Sequence, residues 1–256
     1  VLQNTALPVY GMVPEGNAYW YNPDAPQLCK GMTREERVNQ AKEWLKEGGF
    51  SWDTEPEGDP DDGAVKLGST IKGPDGAELA EIELLAPSAG YDPMRATASI
   101  WIAQWCNEIG IPVKANPTGF NTIIPKVFDP DPETGEIEFD WYILGWSLGD
   151  PSLPTFHEAF FSCRQDAKEG GSNTPGYCDE EFDSWANGLL TATDLETARG
   201  YVHQMDNKLA EEVPYVTLFS APILEFYAKA RVEYPFIEAL NGLSNLSGSE
   251  SWVMSK

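Results

Sequence analysis

Apolar residues recur along this chain at two spacings, one typical of helices and one typical of strands. Between residues 38 and 45 they fall three or four positions apart, which is the spacing of one helical face. Thr33 and Glu36 form a capping box ahead of this run, and two glycines follow it. The pattern therefore predicts a helix over residues 33–47.

The rest of the chain alternates in the same way. Asp92 followed by Pro93 is typical of a helix start, and Gly110 of its end. A polar, acidic stretch with three prolines, residues 53–76, lies ahead of the first strand. Strands are predicted at 79–85, 111–115, 137–144, 215–220 and 223–230, and further helices at 120–127, 155–161, 179–190 and from a cap at Thr193 with Glu196 up to Pro214. This order predicts an α/β lobe with a mixed sheet flanked by helices.

Composition and charge narrow the class of protein. The chain has 256 residues, 41% of them apolar, and a formal net charge of -24. Such a chain buries a core, and its negative surface repels polyanions, so nucleic acid is not an expected partner. No window holds the roughly 18 consecutive apolar residues of a membrane span. The first ten residues lack the features of a signal peptide, and we expect further sequence, including any export signal, ahead of Val1.

The cysteines predict a disulfide more readily than a metal site. There is no CxxC pair and the chain has two histidines, so zinc is poorly supported. Cys163 and Cys178 flank a loop rich in Gly, Ser and Asn, and we predict a bridge there, worth about 3 kcal/mol. Cys29 and Cys106 could form a second bridge or remain free thiols. Cys106 lies in an apolar helical pattern, where a free cysteine can be buried as a small hydrophobic residue. Either bridge would indicate an oxidising compartment.

One motif suggests catalysis. Gly145, Ser147 and Gly149 match the G-x-S-x-G nucleophile elbow of serine hydrolases, and they follow a predicted strand. The elbow also needs a helix directly after the serine, whereas two prolines follow here. The histidines available as a base, His157 and His203, are poorly placed for that role. A hydrolase therefore remains the alternative function.

Two acidic clusters, at residues 59–62 and 129–133, resemble fragments of calcium loops, because hard cations prefer carboxylate oxygens. Neither cluster has EF-hand spacing, so turns are favoured over metal sites. We therefore predict no metal and no cofactor.

Aromatic residues give a better indication of a ligand site. Several of them either line a pocket or fill a core, namely Trp101, Trp105, Phe120, Trp141 and Trp146. For Trp146 a role in a pocket is favoured, because it lies at the carboxyl end of a predicted strand, directly ahead of a glycine-containing loop. Open α/β sheets usually present ligands at that point.

With these residues in place, the chain resembles the family 5 extracellular solute-binding proteins, the oligopeptide-, dipeptide- and nickel-binding components of ABC importers. The resemblance covers nearly the whole chain. The matching segments, in family order, are residues 6–14, 37–50, 98–113, 139–151 around Gly145-Trp146, and 192–219. It implies one α/β lobe of the periplasmic-binding-protein type II class, equivalent to the C-terminal half of a two-lobe protein. Residues 1–235 would form this lobe, and residues 236–256 a tail that returns toward the first lobe.

The resemblance also implies roles for individual residues. Arg95 lies near the position where dipeptide binders use an arginine for the ligand carboxylate. Asp150 corresponds to a structural Asp-Pro rather than to the aspartate that holds a peptide amino terminus, so the ligand class stays open. The loop from Cys163 to Cys178 resembles one that carries a disulfide in some dipeptide binders. The predicted ligand-binding residues are Arg95, Phe120, Trp146, Ser147 and Asp150.

The expected function is therefore non-catalytic. The chain would belong to a periplasmic or extracellular, cell-surface component that captures a peptide or another small polar solute and delivers it to ABC permease subunits. We expect a monomer, and a lipid anchor ahead of Val1 stays open. The alternatives are the serine hydrolase and a signalling receptor lobe of the same fold.

Overall fold

The computed structural model describes residues 6–61, 63–146 and 154–220, together with 228, 230, 232–233 and 254–255. The chain forms two compact units, Val1–Leu2 with Pro8–Leu218, and Gln3–Leu7 with Phe219–Lys256. The domain boundary predicted at residue 235 lies outside the described residues and stays a prediction. Across the described ranges, no helix is long and apolar enough to cross a membrane.

Helices and short strands alternate along the described residues. In chain order the elements are β1 (Leu7–Pro8), α1 (Arg34–Glu47), β2 (Ser51–Thr54), β3 (Glu57–Gly58), β4 (Val65–Lys66), β5 (Ser69–Lys72), β6 (Ile82–Pro87), α2 (Pro93–Glu108), β7 (Val113–Thr118), α3 (Phe120–Phe128), β8 (Trp141–Tyr142), α4 (Phe156–Phe161), α5 (Glu180–Thr191), α6 (Leu195–Glu212), β9 (Phe219–Ser220), β10 (Val232–Glu233) and β11 (Met254–Ser255). Two 3₁₀ turns, Cys163–Gln165 and Ala167–Glu169, follow α4. The predicted α/β class is confirmed.

One part of the larger unit, residues 82–146, is built on a parallel sheet and is called the sheet half below; residues 8–81 precede it in the same unit. The strands lie in the order β7-β6-β8, with β6 in the middle. Successive side chains of a strand point to opposite faces. Leu84 packs in a cluster with Ala103 of α2, whereas Leu85 packs with Ile123 of α3. Helices therefore cover both faces of β6, which explains its continuous apolar sequence.

Another part, residues 154–218, is called the helical half and contains α4, α5 and α6. Its core is largely aromatic, with Phe156, Phe160, Phe161 and Phe182 buried. Apolar residues of α5 and α6, together with the buried Val13 and Trp20 from the start of the chain, complete the same cluster. Because each buried aromatic ring removes a large apolar area from water, this core is the main source of stability in the helical half.

The predicted disulfide between Cys163 and Cys178 is confirmed. Inside the loop that it closes, the buried Asn173 side chain donates to the carbonyl oxygens of Ser162 and Tyr177. The loop is thus an ordered part of the core. Cys29 and Cys106 are free, so the second bridge does not form. Burial raises the pKa of the Cys106 thiol to about 11, and the thiol is therefore protonated at neutral pH.

Helix caps agree with the sequence except at α6. Thr33 and Glu36 form the predicted capping box at α1. The predicted cap at Thr193 is wrong, because α6 begins one residue later and Asp194 caps it. The Asp194 carboxylate accepts hydrogen bonds from the backbone N–H and the hydroxyl of Thr197, and these bonds lower the Asp194 pKa. A carboxylate at this position also favours the positive end of the helix dipole.

Two antiparallel ribbons occupy the acidic stretch that follows α1. β2 pairs with β5, and β3 pairs with β4. Ile71 is the buried anchor of the first pair, and the indole N–H of Trp52 opposite it donates to the Ile109 carbonyl oxygen. Most other ribbon residues are exposed or half-buried, so they show no apolar alternation. Parallel and antiparallel pairing both occur, but in separate sheets within the described residues.

The predicted turns are confirmed at both acidic clusters. The Asp59 carboxylate accepts from the N–H of Asp61, and the Asp131 carboxylate accepts from the N–H groups of Glu133 and Thr134. The bonds from Thr134 and Glu133 lower the pKa of Asp131. These carboxylates therefore stabilise turns, and the described residues contain no group of side chains arranged to hold a metal.

Two predicted strands are shorter than expected. Of residues 137–144, Trp141–Tyr142 is a strand, and the N–H of Ile143 continues the ladder to the Leu85 carbonyl oxygen. Of residues 215–220, Phe219–Ser220 is a strand. The strand predicted at 223–230 lies almost entirely outside the described residues.

Candidate ligand-binding site

The carboxyl ends of β6, β7 and β8 meet at one edge of the parallel sheet. The loop after β6 leads to Tyr91 and α2, Phe120 begins α3 directly after β7, and Trp146 follows β8. The loop after β6 is held against β7 by a hydrogen bond from the Ser88 N–H to the Thr118 carbonyl oxygen. Three separate parts of the sequence therefore converge at the edge where open α/β sheets bind ligands.

Arg95 is held at this edge by Asp92. One carboxylate oxygen of Asp92 caps α2 by accepting from the Arg95 N–H at 2.9 Å, and the other accepts from Arg95 Nε at 2.6 Å. Burial of the Asp92 carboxyl alone would raise its pKa, but the hydrogen bonds and charge of Arg95 outweigh burial and lower the pKa. Both groups are therefore charged at neutral pH, and one residue fixes both the helix start and the guanidinium.

Gly145 gives the guanidinium room to lie against the backbone of the neighbouring strand. A Cβ atom at this position would lie 3.3 Å from Arg95 Nη1 and 3.4 Å from Cζ. The first distance is tighter than an ordinary van der Waals contact and the second is at the lower limit of one, so a side chain at this position would require the guanidinium to shift by a few tenths of an ångström. The glycine that precedes Trp146 is thus coupled to Arg95, which the sequence pattern did not indicate.

Tyr91 connects Arg95 to Phe120. The rings of Tyr91 and Phe120 stack with centroids 4.8 Å apart, and Arg95 Cζ lies 6.0 Å from the Tyr91 centroid. Tyr91 is 59% exposed, so most of its surface is open to a ligand. Sequence reasoning missed this residue, although an aromatic side chain directly ahead of the Asp92-Pro93 helix start is the signal that would have found it.

Trp146 lies between two aromatic rings from different halves of the unit. Its ring centroid is 5.9 Å from Phe128 at the end of α3 and 4.3 Å from Phe160 in α4. It nevertheless remains 38% exposed. The indole is therefore supported from the helical half while part of its surface faces solvent, as a ligand-stacking residue requires.

Three hydroxyl groups hold the strand that leads to Trp146. Those of Tyr142, Thr174 and Tyr215 lie within 2.5–2.7 Å of one another. Each hydroxyl can donate once and accept once around the ring. Burial raises the pKa of Tyr142 and of Tyr215, so all three groups stay neutral. This ring joins β8 to the disulfide loop and to the segment after α6.

The predicted ligand-binding residues are only partly described. Arg95, Phe120 and Trp146 are brought to the same edge, whereas Ser147 and Asp150 lie outside the described residues. Trp101 and Trp105 instead pack on each other along α2, both more than 40% exposed. Trp105 is ten residues beyond Arg95, roughly 15 Å along the helix axis. The α2 tryptophans are therefore neither core residues nor neighbours of Arg95.

The described cavities lie elsewhere in the larger unit. One, of about 110 Å³, is lined mainly by residues 9–12 and 213–217, and a second, of about 330 Å³, lies beside Glu136 and Lys168. At the edge with Arg95 and Phe120, Tyr91 and Trp146 are exposed, at 59% and 38%. Such a surface would bind a ligand firmly only when a second surface faces it.

Both histidines have partners other than a serine hydroxyl within the described residues. His157 has no exposed surface, its Nε2 is 2.8 Å from the Asp206 carboxylate and its Nδ1 is 3.4 Å from the Pro154 carbonyl oxygen. His203 accepts a hydrogen bond from Arg199 on the same helix. A base that activates a serine needs a ring nitrogen within reach of the hydroxyl. Within the described residues, nothing supports the elbow hydrolase.

Comparison with solved structures gives matches to solute-binding proteins. NikZ from Campylobacter jejuni in complex with Ni(L-His) matches at 20% identity and a TM-score of 0.63, over 85% of this chain and 37% of that one. The oligopeptide-binding protein AppA from Bacillus subtilis in complex with a nonapeptide gives the same four values. A mannohexaose-bound periplasmic oligopeptide-binding protein of an ABC transporter from Thermotoga maritima matches at 15% identity and 0.63, over 99% and 46%.

These matches confirm the predicted fold. The chain has the fold of part of these binding proteins, and it spans from about a third to just under half of the length of the matching chains. No protein-family model and no curated protein sequence matches it. At this level of identity the likeness establishes the fold, and the function has to be argued from the site.

Proposed function

We propose that this chain is part of the solute-binding component of an ABC importer, and that it captures a small solute without changing it chemically. One observation supports this most: Arg95, Phe120 and Trp146 come from the carboxyl ends of three parallel strands and gather at one edge. Ligands bind at this edge in open α/β sheets. The matching proteins use the same fold for binding.

The side chains at the edge suit a ligand that has both flat or apolar groups and a negative charge. Tyr91, Phe120 and Trp146 offer aromatic surface, and Arg95 offers a guanidinium whose position is fixed by Asp92. A peptide combines side chains with a carboxylate, which makes it the leading ligand class. The matching structures hold a nonapeptide, mannohexaose and Ni(L-His), so other small polar solutes belong in any test.

The proposal includes the compartment in which the protein works and a second lobe that would face the candidate site. A disulfide is typical of the periplasm or the extracellular space. Residues 1–235 would form one lobe, residues 236–256 would return toward the other lobe, and Ser147 and Asp150 would complete the ligand contacts. Closure of two lobes around the solute would then signal the loaded state to the permease subunits.

Calorimetry on the intact protein tests this proposal. Dipeptides, a nonapeptide, mannohexaose and Ni(L-His) would each be titrated into the wild type and into Trp146→Ala. We expect one of these probes to bind, and Trp146→Ala to weaken that binding at least tenfold, which corresponds to about 1.4 kcal/mol. Trp105→Ala is the matched control, because it removes a tryptophan of comparable exposure, 47% against 38%, that lies far from Arg95.

Two results would count against the proposal. One is an absence of binding across the whole panel. The other is equal loss of affinity in Trp146→Ala and Trp105→Ala, which would mean that the carboxyl edge has no special part in binding. Ester hydrolysis that is abolished by Ser147→Ala would instead favour the hydrolase.

A further inference from the structure

The helical half contains a buried polar pair that neither the core nor the candidate ligand contacts require. His157 of α4 and Asp206 of α6 are 0% and 2% exposed, and His157 Nε2 lies 2.8 Å from an Asp206 carboxylate oxygen. A carboxylate only accepts, so Nε2 carries the proton and donates it. Buried polar groups are costly unless they are paired, so this hydrogen bond is costly to break, and its geometry restricts the orientation of the imidazole ring.

The pair fixes a helix that is too short to be stable alone. α4 has six residues, and isolated helices of this length do not form in water. Its position therefore depends on contacts with its neighbours. Its buried Glu158 accepts hydrogen bonds from Arg164 and Gln165, but both donors lie in the turn directly after α4. The bond from His157 to Asp206 instead joins α4 to α6 and fits one orientation. Phe156 stacks on the His157 ring at 4.5 Å and limits that orientation further.

Phe160 transmits this orientation to the ligand edge. It lies three residues after His157 in the same helix, and its ring is 4.3 Å from the ring of Trp146. The other ring against Trp146, Phe128, is more distant and meets it edge-on. A rotation of α4 would therefore move the closest support of the indole while leaving the parallel sheet unchanged.

We propose that the bond between His157 and Asp206 is a positioning device for Trp146, acting through Phe160. His157 and Asp206 touch no ligand in this account, and they set the angle at which the exposed indole face is presented. The proposal rests on the proposed function, because it assigns Trp146 to the ligand edge. It predicts that loss of this buried bond alters Trp146 even when no ligand is present.

Fluorine NMR of the ligand-free, intact protein labelled with 5-fluorotryptophan tests the proposal. The chain has nine tryptophans, and Trp146→Phe identifies the Trp146 resonance by its absence. In Asp206→Leu the histidine loses its acceptor, and we expect the Trp146 resonance to shift and broaden. In Asp206→Asn the amide oxygen still accepts from Nε2, so we expect the wild-type resonance. Rescue by the conservative variant separates positioning from a general loss of packing.

Leu189→Ala is the matched control for destabilisation. Leu189 is buried in the same core, but it belongs to α5, whereas the rings that contact Trp146 are those of Phe128 and Phe160. We expect this variant to lower stability and to leave the resonance in place. A resonance displaced as much in Leu189→Ala as in Asp206→Leu would overturn the proposal.

A double variant keeps the test valid when Asp206→Leu does not fold. His157→Phe with Asp206→Leu replaces both polar groups by apolar groups of similar shape, a change that folded cores tolerate. We expect a folded protein with a displaced Trp146 resonance, and an unmoved resonance would refute the positioning role. Because no ligand is used, an empty calorimetry panel would defeat the proposed function without affecting this result.

Discussion

The two halves of the larger unit use their aromatic residues in opposite ways. The helical half buries its phenylalanines in one core, and a disulfide ties the loop beside them. The sheet half buries mainly aliphatic and small residues. Five of its nine aromatic residues are exposed, namely Tyr91, Trp101, Trp105, Trp141 and Trp146, and the other four are half-buried.

This difference separates stability from recognition. Buried rings in the helical half stabilise the fold, and exposed rings at the sheet edge are available to a ligand. Substitutions in the helical core should therefore change the free energy of unfolding most. Substitutions at the sheet edge should change affinity most. Trp146 belongs to the sheet half but packs against Phe160 of the helical half, so it connects the two regions.

The largest effect is expected in the helical core. Phe161 has no exposed surface, and Phe161→Ala should lower the free energy of unfolding by about 3–5 kcal/mol, since it removes a ring and leaves a cavity. Urea denaturation measures the loss. Trp105→Ala in the sheet half should change it by less than about 0.5 kcal/mol, because the residue is exposed. Similar losses in the two variants would remove the distinction between the halves.

Loss of the disulfide should come next. Replacing Cys163 and Cys178 by alanine opens a loop with a sequence separation of 15, and the expected cost is about 3 kcal/mol under oxidising conditions. Cys29→Ser serves as the control, because Cys29 is free and only partly buried. If reduction of the wild type leaves its unfolding curve unchanged, the loop does not depend on the bridge.

Gly145→Ala should separate affinity from stability. The new Cβ would shift the Arg95 guanidinium by a few tenths of an ångström, so affinity for whichever calorimetry probe binds should fall severalfold, while the free energy of unfolding changes by less than about 0.5 kcal/mol. Gly119→Ala makes the same change at the same sheet edge, where the Cβ would meet only Thr122 Oγ1, at 3.6 Å. We expect Gly119→Ala to leave affinity unchanged, and equal affinity in the two variants would contradict the role of Gly145 in seating Arg95.

The smallest effect concerns pH. The pKa of Asp92 is lower in the folded protein than in the unfolded chain, so its contribution to stability is complete above the unfolded value of about 3.9 and is lost as pH falls through the lower folded value. Asp92→Asn should therefore lose less stability than the wild type between about pH 5 and pH 2. Urea denaturation across this range checks it. If the free energy of unfolding falls equally with pH in the wild type and in Asp92→Asn, the charge on Asp92 does not contribute to stability.

Much of this fold follows from local sequence signals. Thr33 with Glu36, and Asp92 with Pro93, identify helix starts because capping depends on neighbouring residues. The β2 to β5 ribbons escaped detection because their strands are short and mostly solvent-exposed. Asp194 rather than Thr193 caps α6, since two candidate caps stood side by side and local pattern alone did not separate them.

The site depends more on contacts between distant residues. The position of Trp146 at the end of a predicted strand identified it as a candidate. Its contact with Phe160 of α4 could not be predicted, because no local sequence pattern connects β8 with α4. In the same way, Gly145 and Arg95 are fifty residues apart in sequence and meet through the pairing of β8 with β6. Such pairs become visible only when the sheet order is known.

Whether the carboxyl edge of the parallel sheet binds the solute can be seen in a crystal structure of the intact protein with its bound solute. We expect electron density for the solute against the exposed face of Trp146, within contact distance of Phe120 or Tyr91 and with a polar group near Arg95. A solute held in the cavity beside Glu136 and Lys168, or anywhere without contact to Trp146, would contradict it.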